Sequence, residues 1–257
     1  MRTGVGIALV AAIATACLWL SSHSRGAAAA PAASAERTPV IVELFSSEGC
    51  SSCPPADAYA ASLDRAQPIP GVTAIVLEEH VDYWDRLGWR DPFGNPAFSD
   101  RQSEYARVLE DHHVFTPEIV FDGRRIMPGG DEDAARAMMQ EAARSPRAHV
   151  TVKREGARLA IDVSGVSASA ADDLPEVWLA ITESGLATDV PAGENAGRRL
   201  AHAPIVRRLR RLGEAQAGVF HGEATLDAEA TWRPGALRAV AFVQLAKSRR
   251  TVGAGAD

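Results

Sequence analysis

The strongest constraint on this chain is the segment Cys50-Ser51-Ser52-Cys53-Pro54-Pro55, set behind the apolar run Val40-Ile41-Val42-Glu43-Leu44-Phe45. A near-continuous apolar run of that length suits a buried parallel strand. The two prolines suit the first turn of a helix, where their missing N–H groups would have had no intrahelical partner. That helix is predicted to continue through Ala56–Leu63. The cysteine pair thus falls between a strand and a helix N-terminus, whose partial positive charge stabilises a thiolate. Cys50, ahead of the first turn, is the candidate nucleophile, and Cys53 the thiol that resolves a mixed disulfide.

The other cysteine in the sequence, Cys17, lies in an N-terminal stretch that reads as export machinery. Arg2 is followed by an almost wholly apolar Val5–Leu20, then by Ala/Pro/Ser-rich residues ending at Ala33-Ser34-Ala35, a small-x-small cleavage pattern. Residues 1–35 are read as signal peptide and linker, with an uncleaved anchor and a lipoprotein box around Cys17 as rivals. Cleavage predicts a periplasmic or secreted protein with no stable membrane span. Disulfides form in such compartments. A loop with only two residues between its cysteines restrains the unfolded chain little, so chemistry explains the pair better than stapling does.

The remaining composition is that of an ordinary globular protein, with 46% hydrophobic and 23% charged residues. A net charge of −6 gives no reason to expect nucleic acid as a partner. Arg207-Arg208-Leu209-Arg210-Arg211 is the local exception and reads as a solvated edge or helix face.

Further along, Val72–Leu77 is a second buried strand ending at Glu78-Glu79-His80, and residues 81–98 read as a long ordered loop rich in aromatic and charged residues. A helix is predicted over Ser99–Glu110, with Ser99 as N-cap and Gln102 three residues on. Thr116-Pro117 precedes a short strand at Ile119–Phe121, Asp122-Gly123 signals a hairpin turn, and Arg124–Met127 returns. A helix over Glu132–Arg144 takes Asp131 as its cap. Beyond Pro146 the pattern alternates: strands are expected at His149–Lys153, Arg158–Val163, Val177–Thr182, Glu223–Glu229 and Ala236–Leu245.

The order β-α-β-α-β-β-α, with the cysteines after the first strand and Thr-Pro before the third, resembles the thioredoxin fold. The fold class expected is therefore an α/β thioredoxin-like domain over 38–146, followed by a β-rich, sandwich-like domain over 148–257. The resemblance implies a cis Pro117 packed against the cysteine pair, with Thr116 and Pro117 as the edge that receives an extended substrate. Glu43–Asp57 around the cysteines, His80-Val81-Asp82-Tyr83-Trp84-Asp85 with Leu87-Gly88-Trp89 and Asp91-Pro92-Phe93, Arg101-Gln102 with Tyr105, and Gly193–Arg198 resemble the motif blocks of domain-of-unknown-function family 1223, a bacterial exported family. The chain departs at Glu118, where such families often carry Gln. The family supplies no substrate.

Two functions stay open. The first is a thiol–disulfide oxidoreductase with Cys50, Cys53 and Pro117 in catalytic roles, needing no cofactor and acting on protein or small-molecule thiols and disulfides. The second is a non-enzymatic metal-handling or protein-binding module of the cell envelope. Its metal version would recruit His80, Asp82, His112 or His113 to the thiols. Trp84, Trp89 and Phe93 either line a groove or pack the loop onto the sheet. Glu48 either opposes thiolate formation or accepts a proton, and Gly193–Arg198 either binds a ligand or, more simply, is a glycine-flanked turn with buried Asn195 and Glu194 as local caps.

Overall fold

The computed structural model describes Met1 and residues 37–109, 113–167 and 172–257. The expected signal segment with its cleavage pattern, Cys17 and His112 lie outside the described residues.

The elements in chain order are β1 (Thr38–Ser46), α1 (Pro54–Ala66), β2 (Val72–His80), α2 (Pro96–Val108), β3 (Glu118–Phe121), β4 (Arg125–Pro128) and α3 (Glu132–Ala143). Then come β5 (His149–Glu155), β6 (Arg158–Ser164), β7 (Pro175–Glu183), β8 (Ala187–Asp189), β9 (Arg199–Ala201), β10 (Ile205–Glu214), β11 (Phe220–Thr225), β12 (Leu237–Leu245) and β13 (Thr251–Ala256). Eight of the strands form one mixed sheet in the order β13-β12-β7-β10-β2-β1-β3-β4; β11-β6-β5 form a second sheet and β8-β9 a short ribbon.

This corrects the expected fold class. Instead of a helix-flanked thioredoxin-like α/β domain followed by a β-rich sandwich, the described residues are mostly strand, with three α-helices around one large sheet that draws on both halves of the chain. The reason lies in the apolar runs after residue 175. Both faces of β7 and β12 are buried: Leu179, Ile181, Ala239 and Ala241 pack towards Leu159 and Ile161 of β6, while Ala180, Val240 and Phe242 pack with Ile41, Ile75, Leu77 and Phe98. A strand in a sandwich with one solvated face would alternate apolar and polar residues. These strands do not, and through β10 they extend the sheet begun by β1 and β2.

Period-two alternation sorts β1 and β2 cleanly. Val40, Val42 and Leu44 of β1, with Ala74 and Val76 of β2, pack beneath α1 and α3. Ile41, Ile75 and Leu77 face the other way, towards Phe98 of α2. The two strands run parallel with Ser46 opposite His80, so their carboxyl ends stand side by side. β10 joins β2 in parallel at that end, where Ile205 pairs with Glu78 and the Pro204 carbonyl accepts the Glu78 N–H at 3.0 Å. Ligand sites of sheets with parallel strands gather at such ends.

Two local expectations change. α2 begins at Pro96, not Ser99, because the Asn95 side chain caps it by accepting the Ala97 N–H at 3.0 Å. Ser99 instead donates to Asp82 at 2.6 Å. The arginine run is not a helix face but lies on β10 beyond its single pairing with β2, a partly solvated edge where Arg211 is exposed and meets Glu176 at 2.7 Å while Arg207 lies over the Phe93 and Trp232 rings. The predicted turn does form: Asp122 and Gly123 adopt φ of 46° and 60° between β3 and β4. Gly123 is required there, since a Cβ would stand 1.8 Å from the Arg249 carbonyl oxygen.

Candidate functional site

The site is assembled at the carboxyl ends of β1 and β2. A disulfide joins Cys50 and Cys53 in the loop from β1 to α1, and both residues are buried. Cys53 is the N-cap of α1, and its carbonyl accepts the Ala56 and Asp57 N–H groups at 2.8 and 3.1 Å. The Cys50 sulfur lies 3.3 Å from the Ser52 hydroxyl and 3.7 Å from the Thr116 carbonyl oxygen. The Thr116–Pro117 peptide is cis. Trp84 donates its indole N–H to the Thr116 hydroxyl at 2.8 Å, and its Cβ would stand 3.0 Å from a Cβ at position 49, so Gly49 lets the loop pass. Thr116 is thus brought to the Cys50 sulfur, and Trp84 to Thr116 and Gly49.

Asp82 and Trp89 are used elsewhere. Asp82 is engaged by Ser99. Trp89 packs against Gly193 and donates to the Glu48 carboxylate at 2.8 Å. His80 does not turn to the thiols but enters a buried chain of carboxylates and imidazoles behind them. Its Nδ1 meets Asp91 Oδ2 at 2.7 Å and its Nε2 meets Glu78 Oε1 at 2.9 Å. A second ring completes the chain: His202 Nδ1 lies 3.3 Å from the same Glu78 oxygen, and its Nε2 lies 3.1 Å from Glu48 Oε1. Glu48, Glu78, His80 and Asp91 are no more than 3% exposed, and His202 is 6% exposed. Phe93 stands edge-on to both imidazoles, with ring centroids 5.5 and 5.4 Å away, and so packs rather than lines a groove.

Burial alone would lower both histidines, but the carboxylates outweigh it: His80 is held well above its ordinary pKa by Asp91 and Glu78, and His202 is raised to about 9 by Glu48 and Glu78. Burial would raise Glu78 and Asp91, yet the imidazoles hold both below the usual range. Asp57 of α1, buried and accepting the Ser46 hydroxyl at 2.6 Å, is pushed up to about 8 by burial and then by Glu78.

The Gly193–Arg198 turn does more than cap itself. Asn195 is buried and donates from Nδ2 to both the Glu48 and the Cys50 carbonyl oxygens, at 2.8 and 2.9 Å. Glu194 accepts the Ser51 N–H at 3.1 Å. Glu118 is buried and accepts from Gln102 at 2.9 Å, so it adds no exposed charge beside Thr116. His202 escaped the sequence reading, and Asn195 was read only as a local cap. His202 sits in Ala201-His202-Ala203-Pro204, which carries no spacing signal, and Asn195 acts on a loop 145 positions away.

A family described as "Protein of unknown function (DUF1223)" matches residues 41–244, and the chain belongs to that family. Comparison with curated proteins returned no match. Among solved structures, the chain is similar to the crystal structure of protein AGR_C_4864 from Agrobacterium tumefaciens, with 25% identity and a TM-score of 0.69, covering 86% of this chain and 94% of that one.

Proposed function

We propose, from that membership and from the geometry around Cys50, that the protein is an exported thiol–disulfide oxidoreductase. The observation that carries the reading is the placement of the Cys50–Cys53 disulfide at the N-terminus of α1 with the Thr116 backbone against the Cys50 sulfur. In the reducing direction, the Cys50 thiolate attacks a substrate disulfide, forming a mixed disulfide and releasing one substrate thiolate. Cys53, deprotonated, then attacks the Cys50 sulfur, restoring the intramolecular disulfide and releasing the second substrate thiolate. The oxidising direction is the same pair of steps reversed. Thr116 and Pro117 supply the edge on which substrate backbone lies. The Gly193–Arg198 turn and Trp84 hold the loop around the cysteines, so substrate reaches Cys50 past Ser51 and Ser52, which are exposed. A periplasmic or secreted location suits a disulfide kept oxidised. Among the described residues no helix is long and apolar enough to cross a membrane.

Equilibration of the protein with defined glutathione buffers tests this directly. The pair is expected to exchange reversibly, and the Cys53→Ser variant to accumulate a mixed disulfide on Cys50. Failure of the intact protein to exchange with glutathione or any model disulfide, with no adduct in Cys53→Ser, overturns it.

A further inference from the structure

The chain of carboxylates and imidazoles behind the disulfide has the donor set of a metal centre. Glu78 Oε1 already touches one nitrogen of each ring, His80 Nε2 at 2.9 Å and His202 Nδ1 at 3.3 Å, and one ligand atom from each of the three residues lies within 4.8 Å of the other two. Zinc bonds to imidazole nitrogen and carboxylate oxygen are about 2.0–2.1 Å, which at tetrahedral angles separates neighbouring ligand atoms by roughly 3.3 Å. The two measured separations lie at that spacing or just under it, so small side-chain shifts seat a cation above the triangle.

Three further observations point the same way. Glu78 is fully buried, and its second oxygen, Oε2, has no hydrogen-bond partner, which is costly unless something positive meets it. Each imidazole is held from behind by a different carboxylate: His80 Nδ1 by Asp91 Oδ2 and His202 Nε2 by Glu48 Oε1. Carboxylate–histidine–metal arrangements of this kind orient the ring and make the ligating nitrogen more basic. Lastly, all four ring nitrogens face carboxylate oxygens, so each contact needs one proton between its two atoms if no metal is bound. A divalent cation would replace the two protons that face Glu78 and leave the charge of the cluster unchanged.

We propose that Glu78, His80 and His202 bind one divalent cation of the zinc class, with Asp91 and Glu48 as positioning residues and neither cysteine as a ligand. The proposal is independent of the thiol chemistry: a site of two imidazoles and one carboxylate works whether or not Cys50 exchanges. Its three protein ligands leave a fourth position for water or a small ligand, although Phe93 and the burial of the cluster keep bulk solvent away.

Chelator-stripped full-length protein, titrated with zinc chloride by calorimetry and with cobalt(II) by absorption, tests the site. The expected result is one ion per chain, with cobalt d–d bands of a low-symmetry tetrahedral site and no thiolate charge-transfer band. The Cys50→Ser, Cys53→Ser double variant retains the ion, and His202→Ala loses it. Asp91→Asn, which leaves all three ligands in place, weakens binding about 10–100-fold; it remains decisive should His202→Ala not fold. No zinc uptake by the stripped protein overturns the proposal. So does uptake that survives in His202→Ala, that is unchanged in Asp91→Asn, or that vanishes with the cysteines.

Discussion

Two buried clusters of charge occupy opposite faces of the same two strands, and they are built to different ends. On the face towards α1, Glu78 and His80 meet His202, Glu48 and Asp91. One residue along β2, on the face towards α2, Glu79 lies 3.6 Å from Arg101, whose Nε donates to Glu43 at 2.6 Å. Tyr105 donates to the other Glu43 oxygen at 2.6 Å, and Gln244 donates to the Tyr105 hydroxyl at 2.7 Å. The α2 cluster is closed by a guanidinium that does not deprotonate in proteins and that lies near the rings of Tyr105, Trp178 and Phe242. The other is closed by imidazoles, which unlike a guanidinium can give up a proton and ligate metals. A fixed charge ties α2, β1 and β12 together, whereas exchangeable charges stand behind the disulfide. Burial does not separate the two clusters; the chemistry of the cation does.

The most severe way to break this contrast is on the α2 face. Arg101→Ala leaves Glu43 buried without its cation and is expected to destabilise the protein by about 3–5 kcal/mol in chemical denaturation. Arg101→Lys keeps the charge but loses the planar fork that reaches Glu43, Gln244 and Tyr105, so it rescues only part of the loss. A cost no larger than that of a surface substitution would mean the cluster is not structural.

On the other face, Asn195→Ala strips two buried carbonyls of a donor and is expected to cost about 2 kcal/mol. Its effect should be local: amide hydrogen exchange should quicken at residues 48–53 and stay unchanged in α2. Uniform acceleration would make Asn195 a general core residue, and the contrast would lose its local character.

The smallest effect, reckoned per pH unit, is one of pH. Asp57 is raised from 3.8 to about 8 in the folded protein. Between those values the unfolded chain ionises and the folded one does not, so the folded state binds more protons and stability falls as pH rises, levelling above about 8. The slope from this group is at most about 1.4 kcal/mol per pH unit. Asp57→Asn removes it, and its stability profile over pH 4 to 8 should be flatter by that amount. An identical profile would place Asp57 in ordinary ionised form.

The parts that were legible from sequence are those written in short segments. The apolar run of β1, the Pro-started helix and the Asp122-Gly123 turn each carry their own local signal, and each forms where expected. The Thr116 carbonyl lies by the Cys50 sulfur and Trp84 donates to the Thr116 hydroxyl. What was illegible depends on partners far along the chain. The partners of the β10 arginines were hidden because Glu176, Glu183 and Trp232 are remote in sequence. Glu43 and Glu79 sit inside apolar strands where no local pattern announces Arg101. The large sheet escaped notice for the same reason: hydrophobicity tells that β7 and β12 are buried, but not that β10 carries them alongside β2.

The position of β10 also dictates the order in which the molecule can be finished. Its first residue, Ile205, closes the side of β2 away from β1, and Asn195 and His202 reach the cysteine loop and Glu78 from the same stretch. Nothing synthesised before residue 195 can complete the pocket around Cys50. Both thiols are therefore in place while the last quarter of the protein is still to be made. Pairing across such sequence distances is slow to form. Until then the loop of Cys50 and Cys53 lacks the two hydrogen bonds by which Asn195 holds it.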